Sequence, residues 1–204
     1  MDQVTVNYYS QNANLVADRY EAVVSSLSEH FFDAFKPNSK MLDIGCGSGR
    51  DLAVLHKLGH DCYGIDPTPE FVEIAQRIHP ELIDRLSLAS LPELQPPFGG
   101  DFDGVLCSAV LMHIDVDQLT QAASSIKRCL KIGGRLLYSV PSKRLDVISE
   151  NRDANGRLFI PDQSGRLQSI LESLGFECIS RWGNADSMGR DSVEWASVLL
   201  ELKN

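Results

Sequence analysis

The chain has 204 residues, 43% of them apolar and 23% charged, with a formal net charge of −9. That length suits one well-buried domain rather than two, and the ordinary apolar content excludes disorder along the whole chain. The acidic balance opposes a general affinity for nucleic acid, whose binding needs cations to displace counterions from phosphates. Five cysteines (Cys46, Cys62, Cys107, Cys129, Cys178) are widely spaced without a C-x-x-C pair, a pattern of reduced thiols in a reducing, cytoplasmic setting rather than of a disulfide framework. The N-terminal stretch lacks the charged and apolar regions of a secretory signal. No apolar run approaches the ~20 residues needed to span a bilayer, so no membrane partner is expected.

In chain order, Leu15, Tyr20, Val23, Val24, Leu27, Phe31 and Phe35 fall near helical spacing and predict one amphipathic helix over residues 14–35. "KMLDIG" is a short buried strand, followed by a glycine turn and the helix "SGRDLAVLHKL", which Gly59 stops. "DCYGID" is a second strand. The next helix has Thr68 at its N-cap, Pro69 at its first position, and Phe71, Ile74, Ala75 and Ile78 on one face. "RLSLASLPEL" gives a third strand and turn, and "FDGVLCSAVL" a fourth strand.

Asp115 then begins a helix that runs to about Leu130 and ends in "KIGG". "RLLYSVP" is a fifth strand, and the long segment "SKRLDVISENRDANGRLFIPDQ" is a loop, of a length usually functional. A helix marked by Leu167, Ile170, Leu171 and Leu174 ends at Gly175, and the strands "FECISRW" and "VEWASVLLEL" close the chain. Alternating strands and helices predict an α/β, doubly wound, mostly parallel sheet covered on both faces. The last two strands have no helix between them, so one must run antiparallel. The expected sheet is Rossmann-like, seven-stranded, with its last strand reversed.

The first strand ends in "LDIGCGSGRD", with Gly45, Gly47 and Gly49 at alternate positions. In such sheets ligands bind at the carboxyl ends of the strands, and glycine admits positive φ and close approach to backbone. Asp66 ends the second strand, 21 residues after Gly45, where an acid can accept hydrogen bonds from both hydroxyls of a ribose. The dinucleotide pattern G-x-G-x-x-G would need glycine at position 50, which is Arg50; together with the reversed last strand, this opposes a nicotinamide enzyme.

On these residues the chain resembles the class I S-adenosylmethionine-dependent methyltransferases, of the small single-domain type. Asp43, Gly45, Gly47 and Gly49 fit the family's first motif and Asp66 its second; "ASLPEL", "FDGVLCSAVLMHI" and "LKIGGRLLYSVPS" resemble later ones. The resemblance implies a single methyltransferase domain over residues 1–204. Within it lie an N-terminal helical lid (1–38), a cofactor-binding core (39–140), a substrate-side loop (141–165) and a C-terminal helix and strand pair (166–204). It implies S-adenosyl-L-methionine as cofactor. Asp43, through water, and the Gly45 carbonyl would hold the methionine amino group, Gly47 would let the cofactor backbone lie close, and Cys46 would touch the cofactor within the turn. Asp66 would take the ribose, Ile65 and Pro67 would pack on the adenine, Ser90 and Leu91 would meet its edge, and Cys107 would face the methionine tail. Ser87 stands where family members often carry an acid.

Methyl transfer from a sulfonium demands alignment first, and a base only when the acceptor must lose a proton. His113, just past the fourth strand, is the candidate base, with a packing role as the alternative. Tyr8, Tyr9 and Tyr20 are candidates to fold over the site or to staple the helix to the sheet. Residues 143–166 carry five cations against four acids, leaving −10 on the remainder. Guanidinium groups there suit an acceptor carboxylate or phosphate, and Arg144 and Arg157 are the candidates. Trp182, Asn184 and Arg190 sit near the final turn and are further candidates to close the pocket. His56 and His60 have metal-pair spacing but no third ligand nearby, so no metal is expected. The D/N/S-P-P-Y/F segment and the Pro-Cys nucleophile of DNA methyltransferases are both missing, since "CSAV" stands there and Leu106 precedes Cys107. The expected acceptor is therefore a small molecule and not DNA. The alternative is a non-catalytic protein that binds S-adenosylmethionine or S-adenosylhomocysteine as a regulator or accessory partner.

Overall fold

The computed structural model describes residues 1–160 and 163–204. Its centre is a seven-stranded sheet of order β3-β2-β1-β4-β5-β9-β8. The strands are β1 (Lys40–Ile44), β2 (Asp61–Asp66), β3 (Leu86–Leu88), β4 (Phe102–Ser108), β5 (Leu130–Arg144), β8 (Phe176–Ala185) and β9 (Val193–Leu202). β1 to β5 pair in parallel, while β9 runs antiparallel to both β5 and β8. The reversal follows from connection length, because only a short turn separates β8 from β9.

Helices cover both faces. On one side α4 (Arg50–Lys57) lays Leu52 and Leu55 against Met41, Leu106, Leu137 and Leu199. On the other, α6 (Leu119–Cys129) buries Leu119, Ala122, Ala123, Ile126 and Cys129 on one stripe, and α7 (Gln163–Ser173) adds Leu167 and Leu171. Each large apolar side chain fully buried in this way contributes roughly 1.5–3 kcal/mol. In α5 (Pro69–Ile78), Phe71, Ile74 and Ala75 are buried, whereas Ile78 is largely exposed.

Three segments depart from the sequence expectation. The single leading helix is instead α1 (Gln3–Gln11), α2 (Ala13–Glu21) and a short α3 (Phe31–Ala34). Asp2 caps α1 through the Thr5 N–H at 2.9 Å. Leu15 and Val24, which completed the apolar periodicity, are exposed, because the chain turns after Glu21 to bring Leu27 and Phe31 onto the sheet. Residues 131–134 extend β5 rather than ending a helix. β5 also continues to Arg144, and the predicted loop contains a hairpin of β6 (Val147–Ser149) and β7 (Arg152–Asp153). Pro161 and Asp162, in that predicted loop, lie outside the described residues.

Candidate active site

A cavity of about 280 Å³ opens at the carboxyl ends of β1, β2, β4 and β5, where strand topology places ligands in this architecture. One half is lined by Asp43, Gly45, Cys46, Gly47, Asp66, Pro67, Thr68 and Phe71. The other half is lined by Met112, His113, Arg144, Arg157, Phe159, Arg190 and Trp195. Tyr8, Tyr9 and Tyr20, from α1 and α2, also line it.

The glycine turn is shaped largely by the protein itself. A Cβ on Gly45 would stand 2.4 Å from Val110 Cγ2, and its φ is +76°. The side chain missing at this position therefore makes room for Val110, not for a ligand. Gly47 is different: its φ is +54°, and a Cβ would meet only the Tyr20 ring, at 3.9 Å. Its N–H donates to Asp66 Oδ2 at 2.9 Å, while the Thr68 N–H donates to Asp66 Oδ1, also at 2.9 Å. Asp66 thereby ties the β1 and β2 turns together. The Thr68 side chain also hydrogen-bonds this carboxylate, so of the roughly four acceptor directions on its two oxygens about one remains for something in the cavity. Burial pushes its pKa up to about 6, against the lowering pull of those N–H groups and of the Thr68 side chain. Thr68 stands at the N-cap of α5 as expected, but its side chain makes no cap hydrogen bond.

Asp43 is only 2% exposed, and its Oδ1 has no hydrogen-bond partner among the described residues. Burial, reinforced by Asp51 and Asp66, raises its pKa well above the carboxylate range. A cation in the cavity would relieve both conditions.

Four of the cofactor candidates, Ile65, Ser90, Leu91 and Cys107, fall outside the cavity wall. Cys107 points into the apolar layer under α6 and α7 and is fully buried; strand alternation turns it away, and Ser108, Ala109 and Val110 present themselves instead. Ile65 and Leu91 belong to the same layer. The Leu91 carbonyl accepts the Met1 amino group at 2.7 Å, and it is Met1, not Ser90 or Leu91, that lines the cavity.

His113 is 4% exposed. Its Nδ1 faces the Leu158 carbonyl, which can only accept, so the proton lies on Nδ1 and Nε2 carries the lone pair. Nε2 is 3.4 Å from the Tyr9 hydroxyl, and Arg157 Nη1 is 3.4 Å from that same oxygen. Burial lowers the His113 pKa to about 4, with Arg157 and Arg144 adding to the effect against the Leu158 carbonyl. The ring is neutral at pH 7.

Of the cations expected over this site, Lys143 pairs with Glu194 and Arg152 with Asp2. The Arg152 pair, the Leu158 N–H on Thr5 Oγ1 at 2.9 Å and the Asp2 N–H on the His113 carbonyl tie α1 to the rim. Arg157 is clamped by Asp153, with contacts of 2.9 and 2.6 Å. Trp182 stacks on His30 at 4.1 Å, and Asn184 bonds Ser197, so neither reaches the cavity. Phe159, Asp186, Met188 and Trp195 were not singled out by sequence reasoning. Only Trp195 carried a usable signal, since strand alternation puts it on one face with Val193 and Ser197.

An open parallel sheet with a reversed strand beside β5, and an acidic, glycine-built cavity at its carboxyl edge, define the class I methyltransferase fold. Residues 42–138 match the family model described as "Methyltransferase domain". The human mitochondrial ubiquinone biosynthesis O-methyltransferase is 34% identical over 110 residues, covering 51% of this chain and 29% of that protein. An uncharacterized methyltransferase of Alkaliphilus oremlandii is 24% identical over 173 residues, covering 85% and 73%. Among solved structures, the Burkholderia thailandensis 1,6-didemethyltoxoflavin-N1-methyltransferase, with 1,6-didemethyltoxoflavin and S-adenosylhomocysteine bound, shares the fold. Its TM-score is 0.72 at 21% identity, over 98% of this chain and 88% of that one. The [4+2]-cyclase SpnF shares the fold equally well, with a TM-score of 0.74 at 15% identity, over 97% and 94%, so the fold alone does not set the reaction.

Proposed function

We propose that this protein transfers a methyl group from S-adenosylmethionine to a small-molecule acceptor. The observation that carries the reading is the pair of buried acids facing one cavity: Asp43 with an unpartnered oxygen, and Asp66 with acceptor capacity left beyond the Gly47 and Thr68 hydrogen bonds it takes. In this reading Asp43 and the Gly45 carbonyl hold the methionine amino group, and Asp66 holds the ribose hydroxyls. Gly47 and Cys46 line the turn against the cofactor, and Pro67 packs near the adenine. Residues 1–38 act as a lid, a role supported by the ties from Asp2 and Thr5 to the rim.

When bound, S-adenosylmethionine supplies an electrophilic methyl group on a positively charged sulfur. The protein then has to aim the acceptor and exclude water. His113 contributes a fixed lone pair on Nε2 at the cavity wall, beside the Tyr9 hydroxyl. With a pKa of about 4 it does not keep a proton; its lone pair accepts from the Tyr9 hydroxyl at 3.4 Å, and a proton-bearing acceptor atom is oriented there by taking that hydroxyl's place. Among the described residues no helix is long and apolar enough to cross a membrane. The five unpaired thiols support a reducing, cytoplasmic location.

The test is calorimetric titration with S-adenosylmethionine, S-adenosylhomocysteine and NADH, followed by a screen of acceptors. Micromolar binding of the two sulfur ligands, none of NADH, and release of S-adenosylhomocysteine with an acceptor present is the expected result. Binding without turnover across acceptor classes would favour a non-catalytic regulator. Silence from both sulfur ligands in folded protein would overturn the reading.

A further inference from the structure

The part of the cavity that the cofactor residues leave free has its own chemistry. It lies toward β5 and β9, and three arginines reach it from separate segments: Arg144 at the end of β5, Arg157 after the hairpin, and Arg190 in the β8–β9 connection. Each is held by an aspartate of its own segment, but they differ in what remains free. Arg157 spends Nε and Nη2 on Asp153 and aims Nη1 at Tyr9.

Arg144 places Nε and Nη2 on Asp146, both at 2.7 Å, and its guanidinium lies 3.4 Å from the centre of the Phe159 ring. Its side chain is 2% exposed, and Nη1 has no partner among the described residues. Arg190 repeats the arrangement, with Nε and Nη2 on Asp186 at 2.9 and 2.7 Å and Nη1 without a described partner. Asp186 is fixed in turn by the Trp195 indole N–H at 2.9 Å. Against the pull of burial, hydrogen bonds from Arg190 and Trp195 hold its pKa down at about 2, so the clamp stays charged at neutral pH.

A buried guanidinium is expensive unless its N–H groups are satisfied. That cost falls on Arg144, 2% exposed with Nη1 lacking a described partner, whereas Arg190 is 38% exposed; both residues line the same cavity. Two planar donors, locked by carboxylates and by stacking, form a rigid receptor for an oxyanion. Phe159, Met112, Met188 and Trp195 beside them offer a flat apolar wall.

We infer that the acceptor carries an oxyanion, a carboxylate or a phosphate on a flat apolar body, gripped by the free edges of Arg144 and Arg190. The proposal rests on the methyltransferase reading and adds the acceptor class to it. The acceptor then spans the cavity, its charge at the β5–β9 end and its reacting atom toward His113.

The test uses the whole chain saturated with S-adenosylhomocysteine, titrated with benzoate, phenyl phosphate and the neutral isostere benzamide. Binding is read by calorimetry and by Trp195 fluorescence, with a Trp195→Phe variant to assign the signal. At least one anion is expected to bind saturably and at least tenfold more tightly than benzamide, and the preferred anion separates carboxylate from phosphate. Arg190→Gln, whose side chain is 38% exposed and tolerant of change, should weaken that anion tenfold or more with S-adenosylhomocysteine affinity unchanged. Arg144→Gln should do the same where it folds. Equal binding of benzoate, phenyl phosphate and benzamide, or an Arg190→Gln variant that binds the anion like the parent chain, would overturn the proposal. Loss of S-adenosylhomocysteine binding by the parent chain would instead strike the methyltransferase reading.

Discussion

Asp66→Asn is the most informative single change, because it keeps shape and removes charge. The wild-type carboxylate takes one loop N–H on each oxygen, both at 2.9 Å, and the Thr68 side chain, and retains acceptor capacity for a ribose hydroxyl. An asparagine must turn its NH2 toward one of those N–H groups, so a donor faces a donor on the loop and another faces the ligand. The loop penalty is present with and without ligand and appears in stability, about 1–3 kcal/mol for a buried N–H left unpaired. The ligand penalty is the loss of hydrogen bonds to a charged group, roughly 1.5–3 kcal/mol each. A total near 3 kcal/mol corresponds to about a hundredfold weaker binding, since each ~1.4 kcal/mol is a factor of ten.

The assay is calorimetry with S-adenosylhomocysteine at pH 7.5, with thermal melts to establish folding. The pH dependence gives an independent check. A pKa of about 6 for Asp66 means that protonation removes acceptor capacity as pH falls, so wild-type affinity should drop by up to about tenfold per pH unit below that value. The Asp66→Asn profile should lack that component. An asparagine variant that is folded, binds within threefold of wild type and keeps the wild-type pH profile would refute this placement of the ribose.

The turn separates into two kinds of glycine. Gly45→Ala forces a Cβ to 2.4 Å from Val110 at positive φ and should destabilise by about 2–4 kcal/mol through overpacking and backbone strain; in chemical denaturation, Val110→Ala should restore part of the loss, and full additivity of the two changes would contradict the contact. Gly47→Ala meets no clash, so its stability loss should stay near the ~1–2 kcal/mol of backbone strain, while S-adenosylhomocysteine affinity falls more than in Gly45→Ala. His113 has its folded pKa depressed from 6.5 to about 4, so its contribution is fully present above pH 6.5 and is lost as pH falls toward 4, by up to about 3 kcal/mol. Asp66 works the other way, its raised pKa costing stability as pH rises from 4 to 6, and the two partly cancel. His113→Gln should therefore gain stability relative to wild type between pH 7 and 4.5, by denaturant midpoint; an unchanged difference would show that the ring is not buried and neutral. Arg157→Lys breaks the two-contact clamp on Asp153 and should loosen the segment around Leu158, read as faster amide exchange there; unchanged protection would count against the clamp.

The order of strands and helices, the reversed final strand and the acids at the ends of β1 and β2 were legible in the sequence, because each rests on local periodicity, connection length or a turn with its own backbone demands. Asp43, Gly47, Asp66, Pro67, Tyr9, His113, Arg144 and Arg157 were singled out from their places along the chain, and all eight line the cavity. What each does there was a matter of tertiary structure. Leu15 and Val24 kept helical spacing, yet the break after Glu21 exposed them. Cys107 ended the right strand but faced the wrong layer, because side chains alternate across a sheet and only packing decides which face meets a ligand. The lack of a side chain at Gly45 makes room for Val110, 65 residues away in sequence, a contact that the turn motif does not record. The convergence of Arg144 and Arg190, with Phe159 and Trp195 beside them, was decided in three dimensions alone: it joins segments separated by tens of residues, and no local pattern records which guanidinium edge is left free once its aspartate is in place.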